Sequence, residues 1–132
     1  MHRRSSVQVR AAVVVAAALL LCGCADLEQQ QVERVASAFA AAADPSDRCQ
    51  MLAPATVATV EAQSGRPCAQ ATAQLELPRG AVQSSTVWGD QAQVHLVGDT
   101  VFLTKTGDGW KVTAAGCRSR GDAPYACRVE GP

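Results

Sequence analysis

The strongest constraint on the fold of this chain is a run of tight-turn residues, Gly89-Asp90, Gly98-Asp99 and Gly107-Asp108-Gly109, set between short segments that alternate in polarity. Those segments are 82–88, 91–97, 100–105 and 110–115. In each, β-branched or apolar residues recur with a period of two, which places alternate side chains on one face of a strand. Val94 and Leu96, Val101 and Leu103, and Trp110 and Val112 supply the apolar face. Connections this short join antiparallel neighbours, so the segments predict a four-stranded meander with one face covered. A fifth strand is expected within 125–129, returning beside the fourth.

Before Gly80 the period is helical. Val32, Val35, Ala36, Phe39 and Ala43 recur at helical spacing, with Glu28, Gln31 and Arg34 toward water. A short polar tether over 24–31 is expected to lead into this helix, with Asp26 and Gln29 as a capping box. Asp44-Pro45 ends it. A second helix is predicted over 47–53, capped by Ser46 or Asp47 and carrying Cys49 and Leu52. A third follows over 54–62, opened by Pro54 with Val57 and Val60 inward. After the turn Ser64-Gly65-Arg66-Pro67, a fourth short helix is expected over 68–75. Helices followed by a meander define an α+β fold, with N-terminal helices packed on a C-terminal antiparallel sheet of four to five strands.

The N-terminus carries a different message. Arg3, Arg4 and Arg10, with no acid among them, precede an apolar run from Ala11 to Leu21. That is the basic and apolar succession of an export signal. The run is shorter than the roughly twenty apolar residues that a spanning helix needs. It closes on Leu21-Cys22-Gly23-Cys24, which resembles the lipobox of bacterial lipoproteins, where a small residue precedes the modified cysteine. Cys22 departs from that pattern, since its slot usually holds Ala, Ser, Thr, Val or Ile. An ordinary signal cut after Gly23 would prefer a small residue where Leu21 stands. The resemblance implies a diacylglycerol on the Cys24 thiol and cleavage just before it. The organisation is then a signal peptide over 1–23, a lipidated tether over 24–31 and one domain over 32–130. Residence follows at the outer face of the cytoplasmic membrane, in the cell envelope, held there by lipid.

Removal of the signal leaves 109 residues, enough for one small domain. They contain all twelve acids but nine of the twelve bases, a net charge of −3, and no basic patch that would suit nucleic acid. Cys49, Cys68, Cys117 and Cys127 remain after Cys22 leaves and Cys24 takes lipid. An even number in a small exported domain reads as two disulfides. Of the three pairings allowed, Cys49–Cys68 and Cys117–Cys127 keep each bridge within one local unit. The first staples the short helices, and the second clips the fourth strand to its return. Metal ligation would call for closer pairs such as Cys-x-x-Cys, so neither metal nor cofactor is expected.

A second resemblance covers most of 49–130. It is carried by Leu52-Ala53-Pro54, Pro67-Cys68-Ala69, Val87-Trp88-Gly89, Gly98-Asp99-Thr100-Val101-Phe102-Leu103 and Gly109-Trp110-Lys111-Val112, then Ala114-Ala115-Gly116-Cys117, Pro124-Tyr125 and Cys127. Together these resemble a group of small actinobacterial lipoproteins. The element order also resembles the nuclear-transport-factor-two-like, or cystatin-like cone, superfamily. That likeness implies a pocket between sheet and helices, which some relatives equip with an Asp/His or Asp/Tyr set for proton transfer.

The residues with the chemical groups for such a role have plainer ones. Asp90, Asp99 and Asp108 each neighbour a turn glycine, where Asp is expected to bond the turn backbone. Asp44 and Asp47 flank Pro45, where capping explains them. His95 is the one histidine of the mature chain and lies off the Val94/Leu96 face with Gln93 and Val97. No spacing brings it the second acid or base that general acid–base catalysis requires. Ser84-Ser85-Thr86 reads as a polar strand without a nucleophile elbow, and Gly107-Asp108-Gly109 is too short for a phosphate loop. Trp88, Phe102, Trp110 and Tyr125 are expected in the core, and Arg118, Arg120 and Arg128 in a solvated loop. No catalytic residue is assigned. The expectation is a non-enzymatic, membrane-anchored module that binds an envelope protein or small ligand, or serves structurally. The alternative is a cone-fold isomerase or hydratase with a small-molecule pocket.

Overall fold

The computed structural model describes residues 5–132, with side chains described from residue 23 onward. The basic and apolar parts of the export-signal reading fall on residues 1–22 and lie outside those described side chains.

Helix α1 (Ser5–Ala41) runs without interruption through the segment expected to be a tether. Residues 25–31 contain no proline or glycine and are dominated by Ala, Leu, Glu and Gln, which lose little freedom in a helix. Nothing therefore starts a helix at Asp26, and the capping box with Gln29 is not needed. The Gln29 amide instead donates to the Ser85 carbonyl at 3.2 Å. Val32, Ala36 and Phe39 are buried as their spacing predicts and Val35 is half-buried, but α1 stops at Ala41, so Ala43 lies beyond it and exposed while Ala40 takes the last buried position.

Helix α2 (Pro45–Met51) is capped by Asp44, whose carboxylate accepts the Ser46 N–H at 2.8 Å. Proline at the first helical position moves the cap one residue ahead of Ser46, because the cap must precede it. That hydrogen bond holds the Asp44 carboxyl below its ordinary range. Helix α3 (Pro54–Ser64) opens on proline as read, and α4 (Cys68–Thr72) is a single turn or so. The Cys49–Cys68 disulfide joins α2 to α4 with Cα atoms 6.1 Å apart.

Arg48 on α2 is 7% exposed and has a role that local pattern does not announce. Its Nε donates to the Phe39 carbonyl at 3.2 Å, Nη1 to Leu75 at 2.8 Å, and Nη2 to Ala42 at 3.0 Å and Ala40 at 3.4 Å. Three of these carbonyls belong to the end of α1 and the residue just past it, where backbone acceptors lack helical partners. The guanidinium charge also meets the negative end of the α1 dipole. Burial pushes the Arg48 pKa down, with Arg79 adding to the effect.

The sheet is the expected antiparallel meander. Strands β1 (Val82–Trp88), β2 (Gln91–Leu96), β3 (Asp99–Thr106), β4 (Gly109–Arg120) and β5 (Ala123–Ala126) lie in consecutive order, and β6 (Val129–Glu130) also pairs with β4. Helix α1 covers one face. Phe39, Val32 and Ala36 belong to one apolar cluster with Ala92, Val94, Leu96, Val101, Leu103, Trp110 and Val112.

Strand β4 extends beyond the expected 110–115 segment and past Cys117 to Arg120. Gly116 adopts φ of +66°, a left-handed conformation that lets the strand bulge and continue. Its far end pairs with β5 through Arg118↔Ala126 and Arg120↔Ala123, clipped by the Cys117–Cys127 disulfide. All three arginines are exposed as expected, but Arg118 and Arg120 belong to the hairpin, while Arg128 lies in the connection between β5 and β6 and donates to the Glu76 carbonyl.

Candidate functional site

The face of the sheet turned away from α1 collects the other half of each alternating segment. Strand register arranges it in three rows: Trp88, Gln91 and Thr104; Thr86, Gln93 and Phe102; Ser84, His95 and Thr100. Side chains tie the first and third rows internally and the middle row to Tyr125. The Gln91 amide donates to Thr104 Oγ1 at 2.9 Å, the Gln93 amide to the Tyr125 hydroxyl at 3.4 Å, and His95 Nδ1 lies 3.1 Å from Thr100 Oγ1.

The β4–β5 hairpin curls over this face and brings Tyr125 edge-on to Phe102, ring centroids 5.2 Å apart at 75°. Between the hairpin and the sheet opens a groove of about 410 Å³, lined by Gln91, Phe102, Thr113, Pro124, Tyr125 and Glu130 among others. Aromatic walls with amide and hydroxyl donors make a surface suited to binding.

The four aromatics expected in the core divide. Trp110 alone is buried, at 6% exposed, while Trp88 is 49% exposed and Phe102 and Tyr125 are half-buried on the outer face. Parity explains the correction: Phe102 lies between Val101 and Leu103, which point inward, so its own ring points out. The Trp110 Nε1 hydrogen has no partner among the described residues. Lys105 sits over the Trp110 ring, 5.8 Å from its centroid, and pairs with Glu28 of α1. That hydrogen bond and charge raise the Lys105 pKa.

Among the turn acids, Asp90 uses its carbonyl to accept from the Lys105 N–H at 2.8 Å, and the Asp108 N–H donates to Thr106 Oγ1 at 3.2 Å. Asp99 departs from the turn reading. It is 5% exposed, and its carboxylate accepts the N–H groups of Cys117 at 2.8 Å and Gly116 at 3.1 Å, pinning the β4 bulge. The signal for this role lies in Gly116-Cys117, seventeen residues downstream, where a glycine bulge exposes two adjacent donors. Asp99 opposes Leu96, so it sits off the His95 face.

Cys24 is exposed and is the free cysteine among the described residues. The first tie between α1 and the sheet comes four residues later, at Glu28 and Lys105. Among the described residues, no helix is long and apolar enough to cross a membrane, and no group of three or more His, Cys, Asp or Glu gathers as a metal site. Comparison with protein-family models, curated proteins and solved structures yields no match to this chain.

Proposed function

We propose that the mature protein is a lipid-anchored binding module at the outer face of the cytoplasmic membrane, held by a diacylglyceryl group on Cys24. The observation that carries this reading is the state of the cysteines. Cys49, Cys68, Cys117 and Cys127 are paired inside the domain, while Cys24 stands exposed and free ahead of it. The Gly23-Cys24 step after a basic and apolar leader supplies the chemical rationale. Two or more acyl chains hold a protein stably, at about 0.8 kcal/mol per buried methylene, whereas one chain does so only marginally.

The outer-face groove is the proposed seat for an envelope protein or small ligand. Two features support binding over the isomerase or hydratase alternative. Apolar side chains fill the contact between α1 and the sheet. His95 lies on the opposite face, paired with Thr100 and without an acid beside it.

The test is fractionation of cells fed an alkyne-tagged fatty acid. Wild type should carry the tag and sediment with membranes, and Cys24→Ser should lose both properties. Tag-free wild type in the membrane fraction would refute the anchor.

A further inference from the structure

The way α1 passes along the sheet points to a second contact with the bilayer, one that rests on the lipid anchor proposed above. Gln29 and Glu33 both bond Ser85, through its carbonyl and its hydroxyl respectively. Farther along α1, Ser37 lies with Val82 around one cleft. Helix and strand therefore run in opposite directions, so the start of mature α1 and the end of β1 lie at the same end of the domain.

The two lengths match. From Ser85 to Trp88 are three strand residues, about 10 Å. From Gln29 or Glu33 back to Cys24 are five or nine helical residues, about 8–13 Å. Trp88 therefore stands near the level of the Cys24 thiol. The connection is stiff, because Cys24 belongs to the same unbroken helix as Glu28, which is fastened to Lys105 about 6 Å along the axis.

This end also holds two of the three large apolar side chains that are markedly exposed among the described residues, Leu27 at 57% and Trp88 at 49%. The charges around them are Asp26, Asp90 and the Glu28–Lys105 pair, an excess of acid. Such a surface gains nothing from anionic lipid by charge, so contact with a bilayer would depend on the anchor bringing it there. Tryptophan, apolar in body with one N–H donor, prefers the headgroup boundary, the depth to which the glycerol on Cys24 would hold this end.

We propose that Trp88, with Leu27 beside the anchor, is an interfacial contact that seats the lipidated domain on the outer leaflet in one orientation. Gln91 shares a row with Trp88 and lines the outer-face groove, so this seating holds the groove close to the bilayer surface.

The experiment reconstitutes full-length protein, processed by the cell, into phosphatidylcholine vesicles brominated near the top of the acyl chains. Intact mass on the same sample establishes whether Cys24 is lipidated. The chain has two tryptophans, and Trp110 is buried, so about half of the emission should be quenched in wild type. Trp88→Phe should show little quenching of what remains. Equal quenching in both proteins, or none in either, from a lipidated and vesicle-bound sample overturns the inference alone. A processed sample without lipid overturns it together with the anchor it rests on. Shielding of Trp88 from aqueous iodide that appears only as protein density rises would assign the surface to a second copy and also overturn it.

Discussion

Replacing Arg48 with Met should be among the most damaging single changes in the domain, although it removes a charge from an apolar setting. Met keeps length and apolar stem but offers no donors. The wild-type guanidinium serves four carbonyls, of which Ala42 and Leu75 border a surface cleft and can turn to water once it is gone. The carbonyls of Phe39 and Ala40 are within the buried part of α1 and have no such recourse. A buried acceptor left unsatisfied costs about 1–3 kcal/mol, so the two together predict a loss of about 2–6 kcal/mol. Loss of the charge at the end of α1 acts in the same direction. Lysine keeps the charge but presents one point instead of a fork, and should recover about half of the loss. Urea unfolding of the mature Cys24→Ser chain, disulfides intact, measures both through linear extrapolation. An Arg48→Met variant within about 1 kcal/mol of wild type would refute the argument, because it would mean these carbonyls do not depend on the guanidinium.

The buried Asp99 carboxylate holds two backbone N–H groups, so Asp99→Ala should cost about 2–4 kcal/mol in the same assay and Asp99→Asn roughly half of that; equal stability of all three would contradict its part in the bulge. His95 is half-buried but lies off the core face, and Gln keeps a group able to bond Thr100, so His95→Gln should change stability by less than about 0.5 kcal/mol, and recovery of any bound partner from detergent extracts should be unchanged; lost recovery at wild-type stability would make His95 a site residue. The Asp44 carboxyl should titrate below its ordinary value of 3.8 in a carbon-detected NMR titration. Because that pKa is depressed by folding, the α2 cap contributes stability above the unfolded-state pKa and loses it as pH falls through the folded one. A midpoint at or above 3.8 would show that the Ser46 hydrogen bond does not form in solution.

What could be read in advance was whatever depends on near neighbours. Alternation around Val94, Val101 and Val112 placed the strands, and the glycine turns made them antiparallel. The disulfides followed because each joins residues of one local unit. Four features escape for different reasons. The 25–31 stretch is polar enough to resemble a tether, but helix continuity is decided by the absence of breakers, not by polarity. Aromatic character alone suggests the core for Trp88, Phe102 and Tyr125, but strand parity turns Phe102 outward between Val101 and Leu103, and Trp88 and Tyr125 share its outer face. The reach of β4 to Arg120 and the burial of Arg48 depend on partners far along the chain. Asp99 bonds Gly116 and Cys117, and Arg48 bonds Phe39 and Leu75. No local pattern encodes those pairs. The outer-face groove shares this origin, since Tyr125 reaches Gln93 and Phe102 only because the β4–β5 hairpin folds back over the sheet.

The anchor on Cys24 is the claim on which the proposed role turns, and the mass of the mature N-terminal peptide tests it most directly. Tandem mass spectrometry of protein extracted from membranes should find a peptide beginning at Cys24 and carrying a diacylglyceryl group on the thiol. A peptide that begins at Cys24 with a free thiol, or one that still includes Gly23, would contradict the account.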